Sequence, residues 1–183
     1  MKPSRSGGID TSPQARYPHR VTWSVFVLLL VFAVLFVIST ASQLPPMVAS
    51  HFDAAGQPNS FMSRSGYVRF MLGLAVGLPV VVVAVLATVY SRATNMKLPN
   101  SDYWLAPERL ARTRAFLVAH GVWFGSLMVT LTCFVHWLEL GANRQRPPHL
   151  SNQSFAVVLV AFLIATAVWV AALTFAFRRP ASN

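Results

Sequence analysis

The sequence has 183 residues, of which 55% are hydrophobic and 11% are charged, and its 15 Lys and Arg against 5 Asp and Glu give a formal net charge of +10. A soluble domain carries roughly 25% charged residues, so this composition excludes an ordinary soluble protein and indicates a membrane protein. The basic residues lie at the ends of long apolar blocks, where they set orientation and contact lipid headgroups. The lipid bilayer is therefore a predicted partner, and nucleic acid is not.

Four long apolar blocks follow a basic tail, residues 1–20, whose composition is typical of disorder. Crossing a hydrocarbon core about 30 Å thick takes roughly 20 apolar residues in a helix. Backbone amides in lipid must be bonded within their own segment, so the blocks predict an all-α, four-helix transmembrane bundle over residues 21–178, before a short tail at 179–183. The predicted spans are residues 22–42, 67–90, 115–138 and 155–177.

The distribution of Lys and Arg between the spans predicts the orientation. Eleven of them fall in the N-terminal tail, the segment between the second and third spans and the C-terminal tail, while four fall on the other side. Positive charge stays inside, so both termini and the central loop are predicted to be cytoplasmic, and the loop after the first span extracytoplasmic. The small residues Ser39, Thr40 and Ala41 leave a cleaved signal peptide, with three remaining spans, open as an alternative.

The central loop carries an aromatic pair and a helix start. The adjacent residues Tyr103 and Trp104 are typical of an aromatic anchor at the membrane–water interface. Pro107 and Glu108 suit the first turn of a helix, where a missing N–H costs nothing and an acidic side chain meets the positive end of the dipole. The predicted helix continues through Arg109 into the third span, with the arginine as an anchor for lipid phosphate or a specific ligand.

Ionisable residues inside a membrane are expensive and are candidates for function. His120 and His136 lie in the third span, about 160° apart around the helix and about 24 Å apart along it, so they cannot share a metal. Glu139 lies one turn after His136, but the other predicted spans contain no carboxylate to build a di-iron site. The sequence therefore predicts no enzyme, no metal site and no cofactor, with a metal- or haem-binding enzyme as a remote alternative.

Small residues spaced four apart occur in the second and third spans. Gly73 and Gly77 form one such pair, and Gly121 and Gly125 form another. Small residues let helix backbones approach closely in lipid, so both pairs favour a compact bundle and indicate no particular partner. A homo-oligomer is left open as a partner. Pro79 removes a backbone bond from the second span and predicts a bend there.

The loop after the first span is rich in residues that favour turns and extended backbone. Pro45 ends the helix and favours an extended run after it. Residues 53–56 and 57–60 are two predicted turns, because Asp, Gly, Pro and Asn favour turn conformations. His51 and Asp53 would point the same way on an extended chain. They could bond to each other in a structured cap, or supply two of the ligands that a divalent metal needs.

The same loop, LPPMVASHFDAAGQPNSFMSRS, resembles part of the DUF1648 domain of small bacterial membrane proteins. The whole DUF1648-like segment is expected to span about residues 25–75. Members of that family show Leu-Pro, then Ile/Val-Pro-x-His-Phe, an Asn/Asp-x-x-Gly turn and Ser-Lys/Arg, and Ala49 departs from the usual proline. The stretch DYWLAPERLARTRAFLVAH resembles a second signature of four-span members. The matching loop residues taken as a candidate recognition site are Leu44, Pro45, His51, Phe52, Asp53, Gly56 and Arg64.

The resemblance implies a multi-pass protein of the bacterial inner membrane with no catalytic role. Its best-known members, the SdpI-type immunity proteins, continue into a second domain, whereas this sequence ends at Asn183. That departure weighs against a direct transfer of the immunity role. The expected function is recognition of an envelope component or peptide through the outer loop, in an immunity- or signalling-like protein. The cytoplasmic residues expected to report or anchor are Tyr103, Trp104, Glu108 and Arg109. A transporter or channel accessory subunit is the alternative.

Overall fold

The computed structural model describes residues 19–92 and 96–178. The tails predicted at 1–20 and 179–183 lie outside the described residues, except that His19 and Arg20 begin the first helix. The elements, in chain order, are α1 (His19–Thr40), a 3-10 turn (Ala41–Gln43), β1 (Met47–Phe52), β2 (Pro58–Ser63), α2 (Arg64–Leu72), a π turn (Gly73–Gly77), α3 (Leu78–Arg92), α4 (Ser101–Trp104), α5 (Pro107–Asn143) and α6 (Asn152–Ala176).

Four helical segments of the described chain are long and apolar enough to cross a membrane, which confirms the predicted number. The segments are Arg20–Gln43, Arg64–Arg92, Pro107–Asn143 and Asn152–Ala176. The third has 37 residues. Its length of about 55 Å far exceeds a hydrocarbon core of about 30 Å, so α5 extends beyond the apolar layer at one or both ends.

The loop between α1 and α2 folds into a two-stranded antiparallel hairpin, a feature that the all-α prediction lacked. Ala49 pairs with Phe61, whereas His51 pairs with Ser60, so Ser50 is an extra residue that bulges from β1. The turn predicted at residues 53–56 is confirmed by the bond from Gly56 N to Asp53 O, at 3.0 Å. The second turn, predicted at 57–60, is wrong, because Pro58 already begins β2.

Helix α5 forms the centre of the bundle, and α1, α3 and α6 pack around it. Helix α6 is peripheral, and none of the residues in its most apolar stretch is buried. We call the end of the bundle that carries β1 and β2 the hairpin end, and the opposite end, with α4, the α4 end. The middle of the core contains Phe26, Ala33, Ala75, Val83, Val122 and Val129.

The two glycine pairs have different surroundings. A Cβ at Gly125 would overlap the Val83 side chain, and one at Gly121 would lie 3.3 Å from Leu86, so the pair on α5 permits close packing against α3, as predicted. Gly73 and Gly77 have no atom within 4 Å of a Cβ position. The prediction that this second pair packs a helix within the bundle is therefore wrong.

The second span contains a π turn, which the sequence did not reveal. Leu78 N bonds to Gly73 O, five residues back, just before Pro79. Pro79 has no N–H to donate, and a π turn is one way in which a helix takes up an interrupted backbone ladder. The structure thus shows a widened turn over the five residues before Leu78, while the bend predicted at Pro79 stays a prediction.

Candidate functional site

The hairpin is fastened to α5 by the side chain of Asn143. Its Oδ1 accepts from Ala49 N at 2.8 Å, and its Nδ2 donates to Ala49 O at 2.9 Å. The carboxamide thus occupies the edge of β1 that β2 leaves free, and it satisfies both backbone groups as a third strand would. The Asn143 side chain also donates to Glu139 O at 2.9 Å.

The hairpin turn contacts the α5–α6 connection through Gly56. Gly56 is buried, has a φ of +75°, and accepts a hydrogen bond from Leu150 N at 3.0 Å. A Cβ here would overlap the Leu150 carbonyl oxygen, so the close approach requires glycine. Asn152 Nδ2 donates to Ala54 O at 2.5 Å beside this contact.

A cleft of about 510 Å³ lies between the hairpin and the ends of α5 and α6. A volume of this size is in the range of small-ligand sites. Its hairpin wall includes predicted recognition residues, and its opposite wall comes from α5, α6 and the loop between them. The lining residues are Ser50, His51, Phe52, Asp53, Ala54, Glu139, Leu150, Asn152 and Phe155.

His51 and Asp53 both line this cleft, but they do not form the pair that the sequence suggested. The Oδ1 atom of Asp53 accepts from Ala55 N at 2.8 Å and from Gln57 N at 2.9 Å, so it caps the hairpin turn. His51 Nδ1 lies 3.3 Å from Ser50 Oγ, and the ring is exposed. The turn is therefore held by Asp53 and the backbone, which leaves the His51 ring without a structural task inside the turn.

A buried polar network begins at the floor of the cleft. Tyr67 Oη donates to Glu139 Oε2 at 2.5 Å and lies 2.8 Å from His136 Nδ1. His136 Nε2 lies 2.9 Å from Thr40 Oγ1, which is also 2.6 Å from Phe36 O. Both Tyr67 and His136 have a relative exposure of 0%. The network therefore joins α1, α2 and α5 beneath the hairpin.

The hydrogen-bond distances set the donors at the two ends of the network. Tyr67 O–H donates to Glu139 Oε2, while Tyr67 Oη also contacts Nδ1 of His136. Thr40 has a single hydroxyl proton, which it donates to Phe36 O at 2.6 Å, so its oxygen accepts from Nε2–H of His136. The Glu139 side chain is thus held at the end of the network that meets the cleft.

Residues 27–76 match the family model described as a domain of unknown function, DUF1648. The protein contains a DUF1648 domain. No curated protein and no solved structure matches the chain. The matched range confirms the segment predicted at about 25–75 and extends from α1 through the hairpin to the π turn. The DUF1648 segment thus supplies Thr40, Tyr67 and the hairpin, whereas α5 supplies His136, Glu139 and Asn143.

The remaining residues of the DUF1648 motif shape the base of the hairpin. Leu44 is buried in the core with Val37, Val48 and Tyr67. Pro45 is half-buried in the chain that leads into β1. Arg64 N bonds to Pro46 O at 3.0 Å across the base. These residues position the hairpin and do not line the cleft, in contrast to His51, Phe52 and Asp53.

Of the candidate residues at the α4 end, Trp104 is bonded to the end of α6. Trp104 is 3% exposed, and its Nε1 donates to Phe177 O at 2.9 Å, so it is a core residue and the prediction of an interfacial anchor is wrong for it. Arg109 lies 3.9 Å above the Tyr103 ring. Pro107 and Glu108 occupy the first turn of α5, as predicted, and Glu108 is exposed.

The two histidines of the third span are far apart and have different partners. His120 Nε2 bonds to Trp169 O at 3.0 Å, and Trp169 Nε1 donates to His120 O at 3.0 Å, so this reciprocal pair fastens α6 to α5. His136 belongs to the network beneath the hairpin. Within residues 19–92 and 96–178, no three His, Cys, Asp or Glu side chains are grouped so that they could hold a metal ion.

Proposed function

We propose that the protein is a non-catalytic protein of the bacterial inner membrane that recognises an envelope component or peptide through the cleft under its hairpin. The observation that carries this proposal is the cleft of about 510 Å³, which is lined by His51, Phe52 and Asp53 of the DUF1648 motif. Residues on an exposed hairpin fixed to a rigid bundle are well placed for recognition, because their positions are set before the ligand arrives.

The charges at the two ends of the bundle support an orientation with the hairpin outside the cytoplasm. The α4 end carries Arg92, Lys97, Arg109, Arg112, Arg114 and Arg178, and the N-terminal tail adds four more Lys and Arg. The hairpin end carries Arg64, Arg69, Arg144 and Arg146. Under the positive-inside rule, the hairpin then faces the envelope and both termini are cytoplasmic.

The position of the polar network favours recognition over transport. The network runs from Glu139 to Thr40 and remains at the hairpin end, where Thr40 Oγ1 lies 2.6 Å from Phe36 O. The core cluster in the middle of the bundle consists of apolar residues, Phe26, Ala33, Ala75, Val83, Val122 and Val129. The hydroxyls of Ser126 and Thr130 lie at this level of α5, but both donate to backbone carbonyls of their own helix. A polar path across the membrane would require ionisable groups through that layer. We therefore assign the network to support of the cleft.

The proposal is tested by purifying the His51→Ala variant from native membranes in mild detergent. The exposed ring has no structural task in the turn, so the variant should fold as the wild type does, while its affinity for a recognised partner should fall about tenfold. The measurement is mass spectrometry of co-purifying molecules, followed by titration of the purified partner. Gln57→Ala is the matched control, because Gln57 is exposed on the same hairpin but does not line the cleft. Equal partner affinity in the wild type and both variants would contradict recognition through this cleft.

A further inference from the structure

Acidic residues are rare in this chain, yet two of them line the same cleft. The sequence contains 5 Asp and Glu and 15 Lys and Arg. Asp53 and Glu139 both line the cleft, and none of its lining residues is Lys or Arg. The cleft is thus an acidic site on a strongly basic protein. A cleft lined by charge of one sign concentrates the electrostatic field and attracts ligands of the opposite charge.

The carboxylate of Glu139 has one donor and no basic partner within the described chain. Tyr67 donates to its Oε2, which leaves the other oxygen for a ligand in the cleft. A carboxylate removed from water is usually paired with a positive charge, because desolvation is costly otherwise. The nearby Arg144 instead bonds to the side chain of Gln43, outside the residues that line the cleft.

The other walls of the cleft also suit a cation. Asp53 uses Oδ1 for the backbone of the turn, so its second oxygen carries charge without a structural bond. Phe52 and Phe155 add two aromatic rings to the lining. Aromatic faces attract ammonium and guanidinium groups, and they also pack against the apolar stem that carries such a group.

We propose that the cleft binds a cationic peptide, with a lysine ammonium or arginine guanidinium paired to Glu139; this rests on the proposed recognition function and names its ligand class. Tyr67 is a positioning residue, because its hydroxyl fixes one oxygen of the carboxylate. His136 and Thr40 hold the tyrosine hydroxyl in turn, at 2.8 Å and through the 2.9 Å bond between them. Asp53 adds a second negative charge at the hairpin wall.

The test uses the full chain in nanodiscs of phosphatidylcholine, which carries no net charge. Fluorescence anisotropy measures binding of a labelled short peptide of alternating lysine and leucine, and of the same peptide with every lysine acetylated. The wild type should bind the lysine peptide about tenfold more tightly than the acetylated one, and added salt should weaken only the lysine peptide. Glu139→Gln should reduce the affinity for the lysine peptide about tenfold and remove its salt dependence.

Two further variants separate the role of charge from that of folding. Glu108→Gln removes an exposed carboxylate at the other end of α5 and should leave binding unchanged. Asp53→Asn keeps an oxygen for the turn and should weaken the lysine peptide without loss of the hairpin. Equal binding of both peptides, or of the lysine peptide to wild type and Glu139→Gln, would overturn the cation proposal. If the cation proposal failed in this way but His51→Ala still abolished binding of the native partner, the proposed recognition function would stand. If His51→Ala also left partner binding unchanged, the cation proposal and the recognition function would both fail.

Discussion

Replacing Gly56 with alanine is expected to undock the hairpin from the bundle and to lower the free energy of unfolding by about 2–4 kcal/mol. An alanine at a φ of +75° is strained, and its Cβ would overlap the Leu150 carbonyl oxygen, which is backbone and cannot rotate away. Relief requires the turn to move, which breaks the bond from Leu150 N to Gly56 O. Thermal unfolding in detergent measures the loss of stability, and hydrogen exchange of residues 47–63 measures undocking.

Gly141→Ala is the matched control for this substitution. Gly141 is an exposed helical glycine near the same end of the bundle, and a Cβ there would meet nothing within 4 Å. Alanine is the better helix former by roughly 1 kcal/mol, so the control should leave stability unchanged or slightly raised. If Gly56→Ala had the same small effect, with protection of the hairpin retained, the docked arrangement would be incorrect.

Replacing His136 with alanine is the second substitution with a large expected effect. The ring is fully buried, stacks on Tyr67 with ring centroids 5.7 Å apart, and contacts Phe36 edge-on at 5.1 Å. Its removal leaves a cavity and takes one hydrogen-bond partner each from Tyr67 and Thr40. We expect a loss of about 3–5 kcal/mol in the free energy of unfolding, measured by thermal or denaturant unfolding in detergent.

A double-mutant cycle with Thr40→Val isolates the hydrogen bond inside this effect. Valine keeps the shape of threonine without its hydroxyl, so Thr40→Val alone should cost about 0.6–1.7 kcal/mol, the range of hydrogen bonds between membrane helices. The same substitution should cost clearly less in the His136→Ala background, because the partner at 2.9 Å is already absent. Equal costs in the two backgrounds would show that Thr40 and His136 are not coupled.

The features that sequence reasoning recovered are local ones. Four long apolar runs fixed the number of helices that could cross a membrane, because length and composition suffice for that inference. The helix start at Pro107 and the turn at 53–56 follow from proline, aspartate and glycine, whose backbone preferences act within a few residues. The DUF1648 segment was recognisable from the motif residues of the hairpin.

The candidate site was recovered only in part, because its contacts join distant parts of the chain. His136 and Glu139 stand one turn apart and were visible as a pair, but Tyr67 lies 69 and 72 positions away from them. Its place at the edge of a predicted span gave no sign that it would be buried. The partnership of Asn143 with Ala49, 94 positions apart, was likewise invisible, since an asparagine after a span is ordinary loop composition.

The glycine pairs also show that sequence spacing alone does not predict contacts between helices. Identical spacing on two helices predicted the same role, yet Gly125 packs against α3 while Gly73 meets nothing. Spacing places small residues on one face of a helix, but the face that meets a neighbour is set by the whole bundle. Here α5 occupies the centre, so its small face is used within the chain.

The central claim, recognition by a cleft that opens outside the cytoplasm, is tested most directly by labelling single cysteines in intact bacterial cells that express the protein. In a Cys133→Ser background, Asn59→Cys places an exposed thiol on the hairpin and Asp102→Cys places one at the α4 end. A membrane-impermeant maleimide should label the hairpin site in intact cells and the α4 site only after permeabilisation. Labelling of the α4 site in intact cells, with the hairpin site protected, would contradict the proposed orientation and the recognition function that depends on it.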